Sequence, residues 1–261
     1  MRLTIVGSGG AIPHPRRHPP AYLLEQGEDR ILMDAGPGAL GRLASLGVRP
    51  ADLTAVLLSH LHPDHALEVV PLLFHRSWAP TEQVRPGLRL LGPTGFRTEL
   101  SSWAEAVYPG ILEGANEDLV WEELDDPATI GPWRVTPVPV LHRPGGPSAS
   151  LGYRLEGGQG HLAYTGDTGP CEALSELLDP SGCLLCECNA ADEATGHLWP
   201  AEIRRLLDGR PPALTLLTHV HEAFDHEPLP GPAFDGYPGR VVVAEDRMVV
   251  RWVDGVPGVE S

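Results

Sequence analysis

Leu57-Leu58-Ser59-His60-Leu61-His62-Pro63-Asp64-His65 closes an apolar run that starts at Thr54. The run mixes aliphatic and β-branched side chains as a buried strand does, and three histidines and an aspartate then arrive within six residues. Alternate side chains of an extended segment face the same way, so His60 and His62 can grip one cation from one side. Pro63 cannot continue a strand; it puts Asp64 and His65 at the first turn of a helical stretch over Ala66 to Leu73, redirected towards a neighbouring cation. Two pairs of ligands predict two divalent metal ions. Imidazole and carboxylate without thiolate suit Zn2+, and Mn2+ or Fe accept the same donors.

Composition narrows the class. A chain of 261 residues can bury a sizeable core, and we read residues 1–261 as one domain of two pseudo-repeated halves, about 1–140 and 141–261. No apolar run approaches the ~18 residues a membrane span needs. Met1 to Gly7 has one charge and a short apolar strand, too short for a secretory leader, so a cytoplasmic location with no membrane contact is expected. The net charge of −16, from 35 acidic residues against 19 arginines and no lysine, argues against a broad basic surface that tracks nucleic acid. Abundant proline and the missing lysine suit a heat-tolerant protein and equally a biased genome composition.

The cysteine cluster is a decoy. Cys183-x-x-Cys186-x-Cys188 lies in an apolar stretch that reads as a buried strand, where residues 183 and 186 face opposite sides and cannot converge on one ion. Few cysteines also fit a reducing compartment. Gly7-Ser8-Gly9-Gly10 lacks the third spaced glycine and the following helix of a dinucleotide loop.

Strand and helix signals alternate along the chain. Strands are expected at Tyr22 to Leu24, Arg30 to Asp34, Leu88 to Pro93 and Trp133 to Leu141, with helices over Ala39 to Leu46 and Gly95 to Val107 and an edge strand near Leu119 to Leu124. Pro137 and Pro139 put the strand before His142 at a sheet edge or bulge. The second half repeats this grammar: strands Ser150 to Leu155, His161 to Thr165, Leu184 to Cys188 and Leu214 to Thr218, and helices Cys171 to Leu178 and Pro200 to Leu207. Two such halves face to face give an α/β (α+β) fold, a four-layer αβ/βα sandwich with the metals at the seam. His75 and Arg76 read as solvated charges at a helix end.

His60-x-His62-x-Asp64-His65 resembles the signature of the metallo-β-lactamase superfamily. That resemblance implies the sandwich just described and supplies the remaining ligands. His142, 77 residues beyond His65, matches the third ligand of the first metal. Asp167, in Gly166-Asp167-Thr168, matches the bridging aspartate, and His219 the last ligand of the second. The implied sets are His60, His62, His142 and Asp167 for one ion, and Asp64, His65, His219 and Asp167 for the other. Asp34, in Asp34-Ala35-Gly36-Pro37-Gly38, resembles a residue that orients the histidine loop, with capping of the helix after Ala39 as the alternative. His221 and His226 are given outer or surface roles.

Glu187 and His197, in Cys186-Glu187-Cys188 and Gly196-His197, resemble the glutamate strand and Gly-His motif of the branch that holds ribonuclease Z, arylsulfatases and phosphodiesterases. His197 then assists the leaving group and Glu187 orients it, while Asp64 also helps orient the attacking hydroxide; a Gly-His capping turn is the bland alternative. The transfer-RNA-binding arm of ribonuclease Z has no room, because His142 and Asp167 are only 25 residues apart. The expected activity is therefore hydrolysis of a small or single-stranded phosphodiester through a metal-bridging hydroxide. Alternatives are a ribonuclease Z-like RNA endonuclease, an arylsulfatase, lactone or thioester hydrolase, and a metal-binding module without catalysis. Nucleic acid is not the favoured partner; a homodimer is common in the branch.

Overall fold

The computed structural model describes residues 1–79, 84–115, 119–142, 149–194, 196–225 and 231–260. Among the described residues, fifteen strands form two mixed sheets. The first takes β1 (Arg2–Gly7), β2 (Ala21–Gln26), β3 (Asp29–Met33), β4 (Ala55–Leu57), β5 (Leu88–Gly92) and β6 (Leu119–Glu123), and is completed by β14 (Val249–Val253) and β15 (Val256–Val259) in the order β15-β14-β1-β2-β3-β4-β5-β6. The second runs β13-β12-β11-β10-β9-β8-β7, from β7 (Ala128–Ile130), β8 (Trp133–Val140), β9 (Ser150–Gly157), β10 (Gly160–Tyr164), β11 (Cys183–Glu187), β12 (Leu214–Thr218) and β13 (Val241–Val243). The chain changes sheet between Glu123 and Ala128 and returns at Val249, so the sheets do not divide at residue 140.

Three cores follow from which face each strand buries. Alternate residues such as Leu3, Ile5, Tyr22, Tyr153 and Tyr164 meet between the sheets around Trp133. The other face of the first sheet packs on α1 (Ala39–Ser45), α3 (Val69–Trp78) and α4 (Phe96–Val107) through Leu43, Val69, Leu73, Phe96 and Leu100. The outer face of the second carries α5 (Pro200–Leu207) and a 3-10 helix, Glu172–Leu177. These are the four layers the sequence implied. Cys183 belongs to the inter-sheet core and Cys186 and Cys188 to the outer one, so strand alternation separates them.

Several expectations need correction. The helix after the histidine motif is two pieces: a single turn, α2 (Pro63–Ala66), with Pro63 at its first position, then α3 from Val69. The stretch read as a helix over Cys171 to Leu178 is the 3-10 segment. Arg76 is buried, not solvated, because its guanidinium reaches back to donate to the Arg85 carbonyl at 3.0 Å. Strand β8 is not itself an edge, but β7 pairs it only from Trp133 to Val135, so Pro137 and Pro139 lie where no described strand flanks them on that side.

Candidate metal centre

Every proposed ligand follows the C-terminal end of a strand, where open α/β sheets place their sites. His60, His62, Asp64 and His65 follow β4, His142 follows β8, Asp167 follows β10 and His219 follows β12. Two sheets thus deliver their ligands to one point. His62 caps α2 in an extended conformation and turns its Nδ1 inwards, 3.0 Å from both His60 Nε2 and His142 Nε2. His65 Nε2 and His219 Nε2 lie 3.1 Å apart, with Asp64 Oδ2 at 3.5 Å and 3.4 Å from them. Asp167 Oδ2 stands between the groups, 3.3 Å from His65 and His219 and 3.8 Å from His142. Gly166 makes that placement: its left-handed backbone (φ 58°) turns the chain where a side chain would strike the Leu151 carbonyl.

The hydrogen bonds behind the rings fix which nitrogens are bare. His142 Nδ1 faces the Gly196 carbonyl at 2.7 Å and His65 Nδ1 faces Asp34 Oδ2 at 2.8 Å, so both must donate there, and each neutral ring turns a lone pair inwards. His60 follows the same logic. Ser59 Oγ donates to Asp34 Oδ2 at 2.8 Å, which leaves it to accept from His60 Nδ1 at 3.0 Å. Three bare nitrogens gathered this closely with two further ring nitrogens and a carboxylate form a donor set that a cation would satisfy. Asp167 Oδ1, buried and without a hydrogen-bond partner among the described residues, makes the same demand. A tetrahedron with Zn–N bonds of about 2.0–2.1 Å has edges of roughly 3.3–3.4 Å, so the donor set fits divalent ions in two groups.

Asp34 organises the first sheet's side of the centre. It is fully buried with a left-handed backbone (φ 53°), and its two oxygens accept from the Ser59 amide, Ser59 Oγ, His65 Nδ1 and the Tyr164 hydroxyl. It does not cap α1. That task falls to Glu68, which accepts from the Gly38 and Leu40 amides. Sequence reasoning missed Glu68, Ser59, Tyr164 and the Gly196 carbonyl; only Ser59, next to His60, carried a signal.

His197 and Glu187 lie beside the same cluster, with His197 Nδ1 4.0 Å from Asp167 Oδ2. Glu187 is buried at the end of β11 and accepts from His197 Nδ1 at 3.0 Å, the Thr168 amide at 2.9 Å and the Asn189 amide at 2.8 Å. Burial pushes the Glu187 carboxyl up. Burial also works to lower His197, but the bond to Glu187 and the nearby carboxylates outweigh it, so His197 holds its proton above the ordinary imidazole range. His221 is half-buried and accepts from the Ala223 amide with Nδ1; His226 lies outside the described residues.

Comparison with known proteins identifies the lineage. The sequence model of the Beta-lactamase superfamily domain matches residues 29–220, which hold all seven proposed ligands together with Asp34, Glu187 and His197. The chain belongs to the beta-lactamase superfamily. Among relatives of this superfamily member, the Ribonuclease Z of Mycobacterium bovis (Pasteur strain of BCG) is 33% identical over 196 residues, 68% of this chain and 66% of that protein. The Ribonuclease Z of Mycobacterium marinum is 32% identical over 203 residues, covering 71% and 69%. The match to the Mycobacterium bovis protein thus spans just under two thirds of its length. Among solved structures, the metallo-beta-lactamase fold protein YhfI from Bacillus subtilis superposes with a TM-score of 0.80 at 24% identity, covering 95% of this chain and 97% of that one. The short form of human tRNase Z gives 0.73 at 20% identity, with coverages of 97% and 100%. A diphosphatase of the PhnP family gives 0.69 at 20% identity, with coverages of 97% and 98%. These likenesses show the fold.

Proposed function

We propose that this superfamily member is a dinuclear metal-dependent hydrolase, a phosphodiesterase acting on a small or single-stranded phosphodiester. The observation that carries the reading is the convergence of ring nitrogens on Asp167 beside His197, whose Nδ1 faces Glu187 at 3.0 Å. His60, His62, His142 and Asp167 hold one ion, Asp64, His65, His219 and Asp167 the other, and Zn2+ suits these donors best. Divalent ions bound there supply Lewis acidity, charge neutralisation and activation of water. The chain's own residues do the rest. The Asp167 carboxylate offsets positive charge at the midpoint, Asp64 orients the attacking oxygen, and Glu187 fixes the His197 tautomer through Nδ1. His197 Nε2 is then the end of the ring that gives a proton to the departing oxygen.

The relatives' names favour RNA as a second reading. Against a bulky RNA stand the charge of −16 and the segment before Asp167, whose described part is the β9–β10 hairpin with no protruding arm. Four free cysteines, three of them buried, support the cytoplasmic assignment, and no described helix is long and apolar enough to cross a membrane. The exposed apolar face of Leu67, Phe74, Trp78, Val107 and Tyr108, with its groove of about 480 Å³, supports a second copy of the chain as partner. The deciding measurement is turnover of bis(p-nitrophenyl) phosphate, and of a short single-stranded RNA, by metal-loaded protein and its His62→Ala variant. Turnover abolished by the substitution is expected; no phosphodiester cleavage with two ions bound removes the reading.

A further inference from the structure

Three tyrosine hydroxyls are buried in the core between the sheets, and each is spent across the seam. Tyr153 of β9 donates to the Leu58 carbonyl at 2.6 Å, two residues ahead of His60. Tyr164 of β10 donates to Asp34 Oδ2 at 2.6 Å, the oxygen that also accepts from His65 Nδ1. Tyr22 of β2 shares a hydrogen bond with Thr218 Oγ1 at 3.0 Å, immediately before His219. The rings of Tyr22 and Tyr164 meet edge to face with centroids 5.1 Å apart. A continuous chain of contacts therefore runs from His65 through Asp34, Tyr164, Tyr22 and Thr218 to His219, behind two ligands of the second ion that belong to opposite sheets.

A hydrophobic core does not need these hydroxyls; phenylalanine would fill the same volume without a polar group to satisfy. The ends of the chain of contacts explain them. Asp34 (φ 53°) and His219 (φ 51°) are the two buried non-glycine residues with left-handed backbone among those described. Such conformations persist only where the surroundings over-determine them. The Tyr164 hydroxyl supplies one of four hydrogen bonds that pin the Asp34 carboxylate, and the Tyr22 hydroxyl ties down the side chain preceding His219.

We propose that Tyr164 and Tyr22 are positioning residues for the second metal site, setting the separation of His65 and His219 across the seam; this rests on the dinuclear reading above. The test is metal titration of the full chain, wild type and the Tyr164→Phe and Tyr22→Phe variants. Calorimetry with Zn2+ and the visible absorption of Co2+ give the affinity and spectrum of each equivalent, and chemical unfolding of the metal-free forms gives their stability. Loss of a partner behind a metal-binding histidine typically weakens affinity 10–100-fold. For Tyr22→Phe the expected result is a loss of that size confined to the second equivalent, with an altered Co2+ spectrum for that site and the first equivalent within about threefold of wild type; Tyr164→Phe, which also loosens Asp34 behind Ser59 and His60, should weaken the second equivalent more than the first. Equal weakening of both equivalents, or lower stability with both affinities unchanged, overturns the proposal. Either phenylalanine variant suffices if the other fails to fold. Wild-type protein that takes up fewer than two equivalents removes the dinuclear reading instead.

Discussion

In the proposed reaction His197 would act through a hydrogen bond that also limits it. Because Glu187 accepts from Nδ1, the proton available for transfer sits on Nε2, and its value depends on how badly the leaving oxygen needs it. On a phosphodiester with an alkyl leaving group, His197→Ala should cost about 10²–10⁴ in kcat/KM, the usual size of a general-acid contribution. A p-nitrophenolate leaves without help, so the same variant should lose far less there. Rates on the two esters measure the difference, and equal losses on both remove the leaving-group role. Both residues were legible through the resemblance; that Glu187 is held by two backbone amides as well as by His197 was not, since those amides come from Thr168 and Asn189 on different loops.

At the scale of elements, the one-turn helix α2 is clamped between loops. The Ala35 amide donates to the His65 carbonyl and the Glu68 amide to the Ala35 carbonyl, so the Asp34–Gly38 loop and the ligand turn move as a unit. Gly36 lets them touch: a Cβ there would lie 2.3 Å from the Asp64 carbonyl and 2.7 Å from Pro19 Cβ. Gly36→Ala must push α2 away and should destabilise the protein by about 1–3 kcal/mol, as overpacking does, while lowering metal uptake. Urea unfolding with metal analysis checks this; an unchanged midpoint with full uptake would mean the loop yields elsewhere. The split between α2 and α3 had one signal in the sequence: Pro71 has no amide to donate to the Leu67 carbonyl, which interrupts a helix over Ala66 to Leu73, and a second helix starting at Val69 takes Pro71 into its first turn.

For the whole molecule, the ligands proposed for each ion come from both sheets, so metal binding there would cross-link the sandwich. At free metal near 100 times Kd, each site adds about 2.7 kcal/mol. At roughly 2–4 °C per kcal/mol for a chain of this size, chelation should lower Tm by roughly 5–10 °C per ion removed. Thermal denaturation with and without a chelator measures it, and a Tm that does not move would mean the ligands close without metal. The apolar face on α3 and α4 makes a separate prediction: sedimentation velocity should show a dimer that Phe74→Asp converts to monomer, and a wild-type monomer at high concentration removes that partner.

The proposed ligand types, their order and the alternation of strand and helix could be read from local patterns such as His60-x-His62-x-Asp64-His65, because coordination and strand alternation act over a few residues. Parity alone also separated Cys183 from Cys186. It took the folded chain to show which sheet each strand joins, that β14 and β15 return to the first sheet, that Arg76 is buried, and that Asp34, Tyr164, Tyr22 and Thr218 stand behind His65 and His219. Those facts depend on contacts between residues as far apart as Asp34 and Tyr164, which leave no spacing to read: a tyrosine in a core strand looks the same whether its hydroxyl meets a carboxylate across the seam or not.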